Sequence, residues 1–398
     1  MITVKEATRL INTTIRDFGV EEVTLGNSLG RVLAEDLKSD RDLPPFDRVM
    51  YDGIAIRYED YAKGQRSFPI LGVQAAGAPR AAAEAEGNCV EIMTGAVLTI
   101  GFDTVVQYEW LEIKEGVATI RPGYTIQKGR HIHPKGMDHQ QGEVIVKQGC
   151  IITPAEISIA ATIGQTKIWV RRLPTAAIIS TGNELVDIGE TPEPHQIRRS
   201  NVYAIAASLG QYNVQVDILH IDDEEEEIRA KLEMSLAAYD VVILSGGVSM
   251  GKFDFIPQVL DELGVEKLFH KVAQRPGKPF WFGQTDSCII FALPGNPVST
   301  FMGTIRYVLP WLRRCLGLEG MTRQYARLQE DFSFDKEMQY FLSVKKVNHA
   351  DGTTWAQPMK GNGSGDLANL ARIDGFLELP MDTAFFPKGS AWPLWEFR

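Results

Sequence analysis

The sequence predicts a multidomain α/β plus β protein, and three observations carry that reading. The chain has 398 residues, which at roughly 150 residues per domain argues for two or three domains rather than one. Between about residues 171 and 320, continuous apolar runs alternate with segments of helical spacing, the pattern of a parallel-type sheet covered by helices. Residues 41–140 and the chain after about residue 321 instead break into short strand-like runs between glycines and prolines.

Taken in order, residues 4–18 carry Ala7, Ile11, Ile15 and Phe18 at helical spacing and predict an opening helix. Residues 25–36 then pass through a Gly30-Arg31 turn. Leu43-Pro44-Pro45-Phe46 forbids regular helix or central strand and marks a domain junction. Beyond it, residues 105–108, 117–120 and 143–146 are expected strands and 81–86 a surface loop. A helix over 155–163 and a strand over 167–170 follow. Strands are then expected at 176–180, 214–221, 241–244 and 288–293. The helices between them are one capped by Ser200 and carrying Val202, Ile205 and Leu209, an acidic-headed one carrying Ile228, Leu232 and Leu236, and one over 254–263 closed by Gly264. A last helix over 298–316 is expected to be interrupted at Pro310. After it, residues 341–347 and 376–379 predict a small terminal β module.

Composition removes several function classes. Hydrophobic residues make up 44% and charged residues 23%, so wholesale disorder is excluded. The formal charge of −10 disfavours a nonspecific nucleic-acid binder, while small anionic ligands remain possible. The longest apolar runs fall well below the ~18 residues of a bilayer span, and Lys5, Glu6 and Arg9 interrupt the place a signal peptide would occupy. A cytosolic protein with neither nucleic-acid nor membrane partner is expected. Cys89, Cys150, Cys288 and Cys315 show no metal or disulfide spacing and read as small buried hydrophobes. His131 and His133 lie near Asp138 and His139 in a turn-rich stretch that a surface loop explains. No Walker loop, GxGxxG turn or GxSxG elbow occurs.

The chemical signal lies in loops that follow apolar strands. Thr181-Gly182-Asn183-Glu184 follows the strand at 176–180, and Ser245-Gly246-Gly247-Val248-Ser249 follows that at 241–244, so both belong on one rim of the sheet. A Ser-Gly-Gly turn lets backbone N–H groups converge on an oxyanion, although the same turn also occurs as an ordinary loop. Arg275-Pro276-Gly277-Lys278-Pro279, with Lys271 before it, presents cations on a stiff scaffold or forms a solvated turn. Pro294-Gly295-Asn296-Pro297, with Ser299 just beyond, opens a helix whose N-terminus adds positive potential. Glu184, Asp223 and Asp254 oppose these groups. Carboxylates beside an anion repel it unless a hard cation bridges them, which points to Mg²⁺ as a cofactor held by these three acids. Asp254 is equally suited to cap its helix, and Asp223 to a solvated helix start.

In order along the chain stand Leu43-Pro44-Pro45-Phe46-Asp47 with Asp52-Gly53-Ile54-Ala55, Ile92-Met93-Thr94-Gly95-Ala96, Ser180-Thr181-Gly182-Asn183-Glu184-Leu185, Ser245 to Ser249, Pro276-Gly277-Lys278-Pro279 and Leu293-Pro294-Gly295-Asn296-Pro297-Val298-Ser299. By these motifs the chain resembles the MoeA family of molybdopterin molybdenumtransferases, related to the C-terminal half of gephyrin. The resemblance implies an elongated N-terminal domain (1–40 and 141–170), an inserted β-rich module (41–140), an α/β pterin-binding domain (171–320) and a C-terminal β barrel (321–398). It further implies a homodimer whose cleft joins the α/β domain of one subunit to the inserted module of the other, with Asp52, Thr94 and Asp138 completing it from the partner chain.

The implied reaction inserts molybdate into adenylylated molybdopterin with Mg-dependent release of AMP. In that reading the substrate pyrophosphate lies on Ser245, Gly246, Gly247, Ser249 and Lys278, and the metal lies near Glu184, Asp223 and Asp254. Candidates for molybdate are Lys271, Arg275, Ser299 and the Pro294 to Pro297 turn. A transient contact with a separate molybdopterin adenylyltransferase is also expected. Two departures bear on the choice between molybdate and tungstate: Asp47-Arg48-Val49-Met50-Tyr51-Asp52-Gly53-Ile54 stands where the family commonly reads Asp-Asn-Ser-Ala-Met-Asp-Gly-Tyr, and Arg275 where it commonly has Lys. An adenylyltransferase would resemble the α/β domain alone and carry a Gly-Gly-Thr-Gly loop. A non-catalytic dimeric carrier or scaffold is the other alternative, and such a protein has no need of the acidic set.

Overall fold

The computed structural model describes residues 1–248, 255–319 and 324–398. The chain forms two compact units, one of Met1–Ala34, Gly149–Thr153 and Trp169–Arg398, the other of Glu35–Gln148 and Pro154–Ile168.

In the first unit a six-stranded sheet runs in the order Val216–Ile221, Ala176–Thr181, Val241–Ser245, Ile289–Leu293, Trp281–Gln284, Glu266–His270. The first four strands are parallel. The last two join antiparallel to their neighbours, so the sheet is mixed rather than parallel throughout. The reason is connection length. Only residues 285–288 separate Trp281–Gln284 from Ile289–Leu293, too few for the crossover that parallel neighbours need.

Successive residues of the central strands enter opposite cores. Ile179, Leu244 and Ile290 pack with Ile228, Leu232 and Val259 from the helices Glu225–Ala238 and Ile256–Glu262. Ile178, Ile243 and Phe291 pack with Val202, Ile205 and Trp311 on the other face. Burial on both faces is why these strands read as continuous apolar runs.

The opening helix is shorter than its spacing predicts, covering Val4–Asn12. Thr3 caps it by accepting the Glu6 N–H at 3.1 Å, and Val4, Ala7 and Ile11 join the core. It stops because the Thr13 and Thr14 hydroxyls donate back to the Leu10 and Ile11 carbonyls at 2.7 and 2.8 Å, closing the last turn. Phe18 still reaches the core, edge-on to Trp311 at 6.3 Å. The last helix does not break at Pro310. It runs from Pro297–Gly303 through a π segment, Thr304–Val308, into Leu309–Cys315, so the wider turn just before the proline absorbs its missing N–H.

After this helix, Gln339–Asn348, Thr354–Pro358, Gln324–Leu328, Ala391–Glu396 and Gly375–Leu379 pair in succession, and the last pairs back with the first. The result is a closed five-stranded barrel filled by Leu328, Leu342, Val344, Leu377 and Phe386.

The second unit holds another six-stranded sheet, in the order Thr104–Gln107, Gly53–Ile56, Cys89–Ile92, Ser67–Gln74, Val117–Ile120, Leu111–Lys114. Ile54, Phe68 and Val106 fill one face, and Ala55, Val90 and Val105 the other. Among the described residues no helix is long and apolar enough to cross a membrane.

Candidate active site

The strand order brings the three candidate loops to one place. From Ala176–Thr181 the chain moves to Val216–Ile221 on one side and then returns to Val241–Ser245 on the other, leaving a crevice at the carboxyl ends where the connections diverge. A cavity of about 590 Å³ lies there, lined by Thr181, Glu184 and Asp223 and by Ser245, Gly246 and Gly247. Pro294 and Pro297 complete its wall.

The loops are bound to one another. Asn201, in the first turn of the helix Asn201–Gly210, donates its side-chain amide to Ser245 Oγ at 2.9 Å and to the Gly295 carbonyl at 2.7 Å. The Gly246 N–H donates to the Leu293 carbonyl at 3.1 Å. Gly247 has φ +69°, and a Cβ there would stand 2.6 Å from Ile256 and 3.0 Å from Thr181 Oγ1, so the turn admits only glycine. The Thr181 hydroxyl is buried and, among the described residues, has no hydrogen-bond partner. It lies directly beneath the glycine turn, close to where a Cβ on Gly246 or Gly247 would stand. On the other side of the crevice, His220 Nδ1 lies 2.9 Å from Ser180 Oγ and Nε2 lies 3.3 Å from Asp222. The Asp223 N–H donates to Asn183 Oδ1 at 2.8 Å, so the two acidic loops are also joined.

Glu184 and Asp223 face this cavity, while Asp254 and Ser249 lie outside the described residues. Among the described residues no three His, Cys, Asp or Glu side chains form a metal-holding group. Two carboxylates facing one crevice nonetheless suit Mg²⁺, which commonly takes one or two protein carboxylates and completes its octahedron with substrate oxygens and water. The cavity also receives Arg198 and Arg199, which precede the helix. Arg199 is paired with Asp187, and Arg198 Nε donates to the Glu190 carbonyl at 3.0 Å.

Arg275, Lys278 and Ser299 line a second cavity, of about 770 Å³, which shares Pro279, Pro294 and Asn296 with the first. Lys271 lines neither; its backbone bridges Phe280 and Ile2. Ser200 stands before its helix in a helical conformation and makes no capping bond.

In the second unit, Asp52 immediately precedes the strand Gly53–Ile56, and antiparallel register sets Gly53 opposite Ile92. Thr94 therefore arrives beside Asp52, whose Oδ1 accepts from the Thr94 N–H at 2.6 Å and its hydroxyl at 2.7 Å. The backbone bond first, and the hydroxyl second, hold the Asp52 carboxyl below the ordinary carboxylate range. A side chain on Gly53 would meet the Val106 carbonyl at 1.9 Å, so the residue after Asp52 must be glycine. Asp138 is a separate pair, with His133 Nε2 at 2.8 Å. Of the departing residues, Val49 is buried and Tyr51 stands edge-on to His131 at 4.8 Å.

Comparison with known proteins agrees with this fold along nearly the whole chain. Residues 2–164 match the MoeA N-terminal region (domain I and II), 177–314 a probable molybdopterin binding domain, and 325–397 the MoeA C-terminal region (domain IV). A molybdopterin molybdenumtransferase of Synechocystis is 39% identical over 398 residues, covering 99% of this chain and 100% of the relative. The chain belongs to the MoeA family. A Staphylococcus epidermidis protein of the same name is 33% identical, covering 98% of this chain and 94% of its own length. Two solved MoeA molybdopterin biosynthesis proteins from Pyrococcus horikoshii superpose with TM-scores of 0.86 and 0.83. Their identities are 30% and 26%, covering 100% of this chain and 99% and 100% of theirs.

Within this MoeA family chain, Asn201, Arg198 and Arg199 belong to the cavity but were not singled out from the sequence, and Thr181 was read as part of a candidate loop without a role of its own. The Arg198-Arg199 dipeptide ahead of a helix was a usable signal for an anion site. For Asn201 there was none, since its two acceptors lie 44 and 94 residues away.

Proposed function

We propose that this protein inserts molybdate into adenylylated molybdopterin and releases AMP, acting in molybdenum cofactor biosynthesis. The observation that carries the reading is the crevice in which a glycine turn and the buried Thr181 hydroxyl adjoin the Glu184 and Asp223 carboxylates. The substrate pyrophosphate would lie on the Ser245 to Gly247 turn, where the absence of side chains on Gly246 and Gly247 lets its oxygens approach the backbone. Mg²⁺ held by Glu184 and Asp223 would polarise the phosphoanhydride. Asn201 keeps the two loops in register, so that the anhydride is presented in one orientation.

Molybdate, a second anion, fits the adjoining cavity of Arg275 and Ser299 rather than the acid-lined one. Asp52, Thr94 and Asp138 belong to the other compact unit. We assign them to a cleft completed across a homodimer in the cytosol, with substrate passed on by an adenylyltransferase in transient contact.

Purified protein mixed with adenylylated molybdopterin, Mg²⁺ and either molybdate or tungstate tests this. Oxyanion-dependent AMP release with activation of a cofactor-free molybdoenzyme is the expected result. Tight pterin binding without AMP release under either oxyanion would make the protein a carrier. Glu184→Gln is expected to abolish Mg²⁺-dependent release. Mixed dimers of Asp52→Asn and Glu184→Gln subunits should recover activity that neither homodimer has; no recovery would refute the shared cleft.

A further inference from the structure

Tyr51, the residue before Asp52, is 44% exposed, and Met50 beside it is 46% exposed. Two large apolar side chains left open next to a candidate catalytic carboxylate mark a surface that meets a ligand. Tyr51 is held in place from behind. Its ring stands edge-on to His131, with centroids 4.8 Å apart and planes at 78°, and Met50 donates its N–H to the His131 carbonyl at 3.0 Å. His131 keeps this position at φ +64°, a left-handed conformation that a residue with a Cβ adopts at a cost.

The histidine is itself buttressed. Its Nε2 accepts from Arg130 Nε at 3.1 Å and lies 3.4 Å from the Tyr124 hydroxyl, so the imidazole is neutral. Tyr124 in turn stacks on Trp110, with centroids 4.6 Å apart and planes 11° from parallel. Trp110, Tyr124, His131 and Tyr51 thus form a row of rings that ends beside Asp52. An edge-on contact covers at most one face of Tyr51 and leaves the other for a planar partner. The adjoining carboxylate is half used: Asp52 Oδ1 takes both Thr94 bonds, and Oδ2 takes none among the described residues.

We propose that Tyr51 and Asp52 bind a planar, amino-substituted nitrogen heterocycle, the ring stacking on Tyr51 and its amino group donating to Asp52 Oδ2. An aromatic face beside a free anionic acceptor matches that class of ring and no simple anion. Adenylylated molybdopterin carries two such rings, the pterin and the adenine. Tyr51 is one of the positions at which the chain departs from the family pattern, so the stacking face is this chain's own. The assignment to the transferase substrate rests on the proposed reaction; the heterocycle site does not.

Equilibrium binding to the whole protein tests this, with AMP and pterin as separate probes and ribose 5-phosphate, which has no ring, as the control. Tyr51→Ala should raise the Kd of one of the two ring probes about tenfold, and Tyr51→Phe should keep it, since the face is retained. The probe affected identifies which end of the substrate the site reads. Tyr51 is exposed, so both variants should melt with the wild type. In the AMP-release assay the KM for adenylylated molybdopterin should rise in Tyr51→Ala by a larger factor than kcat falls. Four results would overturn the proposal: no binding of either ring to the wild type, unchanged Kd for both rings in Tyr51→Ala, an equal loss in Tyr51→Phe, or an equal loss for ribose 5-phosphate. Tyr51-dependent ring binding by a protein that releases no AMP would uphold the site while removing the transferase reading.

Discussion

Asn201 and Ser245 are 44 residues apart, yet the amide of one donates to the hydroxyl of the other at 2.9 Å, and the same nitrogen reaches Gly295 at 2.7 Å. This one side chain couples the glycine turn to the loop that opens the last helix. Asn201→Ala removes both bonds at a net stability cost of about 1–3 kcal/mol. The larger expected effect is on the substrate: the pterin KM should rise about tenfold, because the cradle is no longer held in one geometry. Asn201→Asp, which loses the donor but keeps the shape, should behave like the alanine variant.

The Asp52–Thr94 contact gives a titration test. Two Thr94 donors hold the Asp52 carboxyl below its ordinary value of 3.8. Thr94→Val deletes the hydroxyl and keeps the backbone bond, so the Asp52 pKa should move part of the way back up, and Thr94→Ser should restore it. Carboxyl ¹³C NMR reads this directly. If Asp52 acts as an oriented carboxylate, AMP release should fall in the valine variant and recover in the serine variant.

His270 reaches the glycine turn from behind, with Nε2 at 3.1 Å from the Val248 carbonyl. Burial lowers its pKa from the ordinary 6.5; the Val248 bond opposes this, and Lys271, Lys267 and the N-terminus reinforce it. The folded protein therefore binds this proton less readily than the unfolded chain. The associated stability is present above about pH 6.5 and is lost as pH falls through the depressed folded value. His270→Gln keeps a donor for Val248 and does not titrate. Melting temperatures followed from pH 7.5 to 5 should fall less steeply in that variant than in the wild type.

Arg306 and Glu378 form the most enclosed ion pair among the described residues, with side chains 6% and 13% exposed and Nε 3.2 Å from the carboxylate. Glu378 also accepts from Gln339 Nε2 and Trp395 Nε1, each at 2.5 Å, and Arg306 lies 4.4 Å over the Trp395 ring. Glu378→Ala leaves a buried guanidinium without its partner, and chemical denaturation should show a loss of about 3–5 kcal/mol. Glu378→Gln, which still accepts hydrogen bonds, should lose less.

The strands Ala176–Thr181, Val241–Ser245 and Ile289–Leu293 lie within a residue or two of the apolar runs that announce them. Residues buried on both faces must be apolar in succession, which leaves a readable run in the sequence. The two antiparallel strands Glu266–His270 and Trp281–Gln284 were not legible, since Gly283 and the Pro-Gly-Lys-Pro turn resemble punctuation. The opening helix was overextended because helical spacing continues to Phe18 after the backbone has turned away at Thr13.

Local chemistry alone determined the motif loops, the acidic residues Glu184 and Asp223 and the cations Arg275 and Lys278, because each depends on residue type and on the strand immediately before it. Tertiary structure alone decided that Asn201 clasps two loops, that the Thr181 hydroxyl is buried beneath the glycine turn, and that Lys336 and Lys360 share a cavity with Arg275. Those relations join segments tens of residues apart through sheet order and barrel closure. A linear sequence carries the chemistry of each partner but not the distance between them.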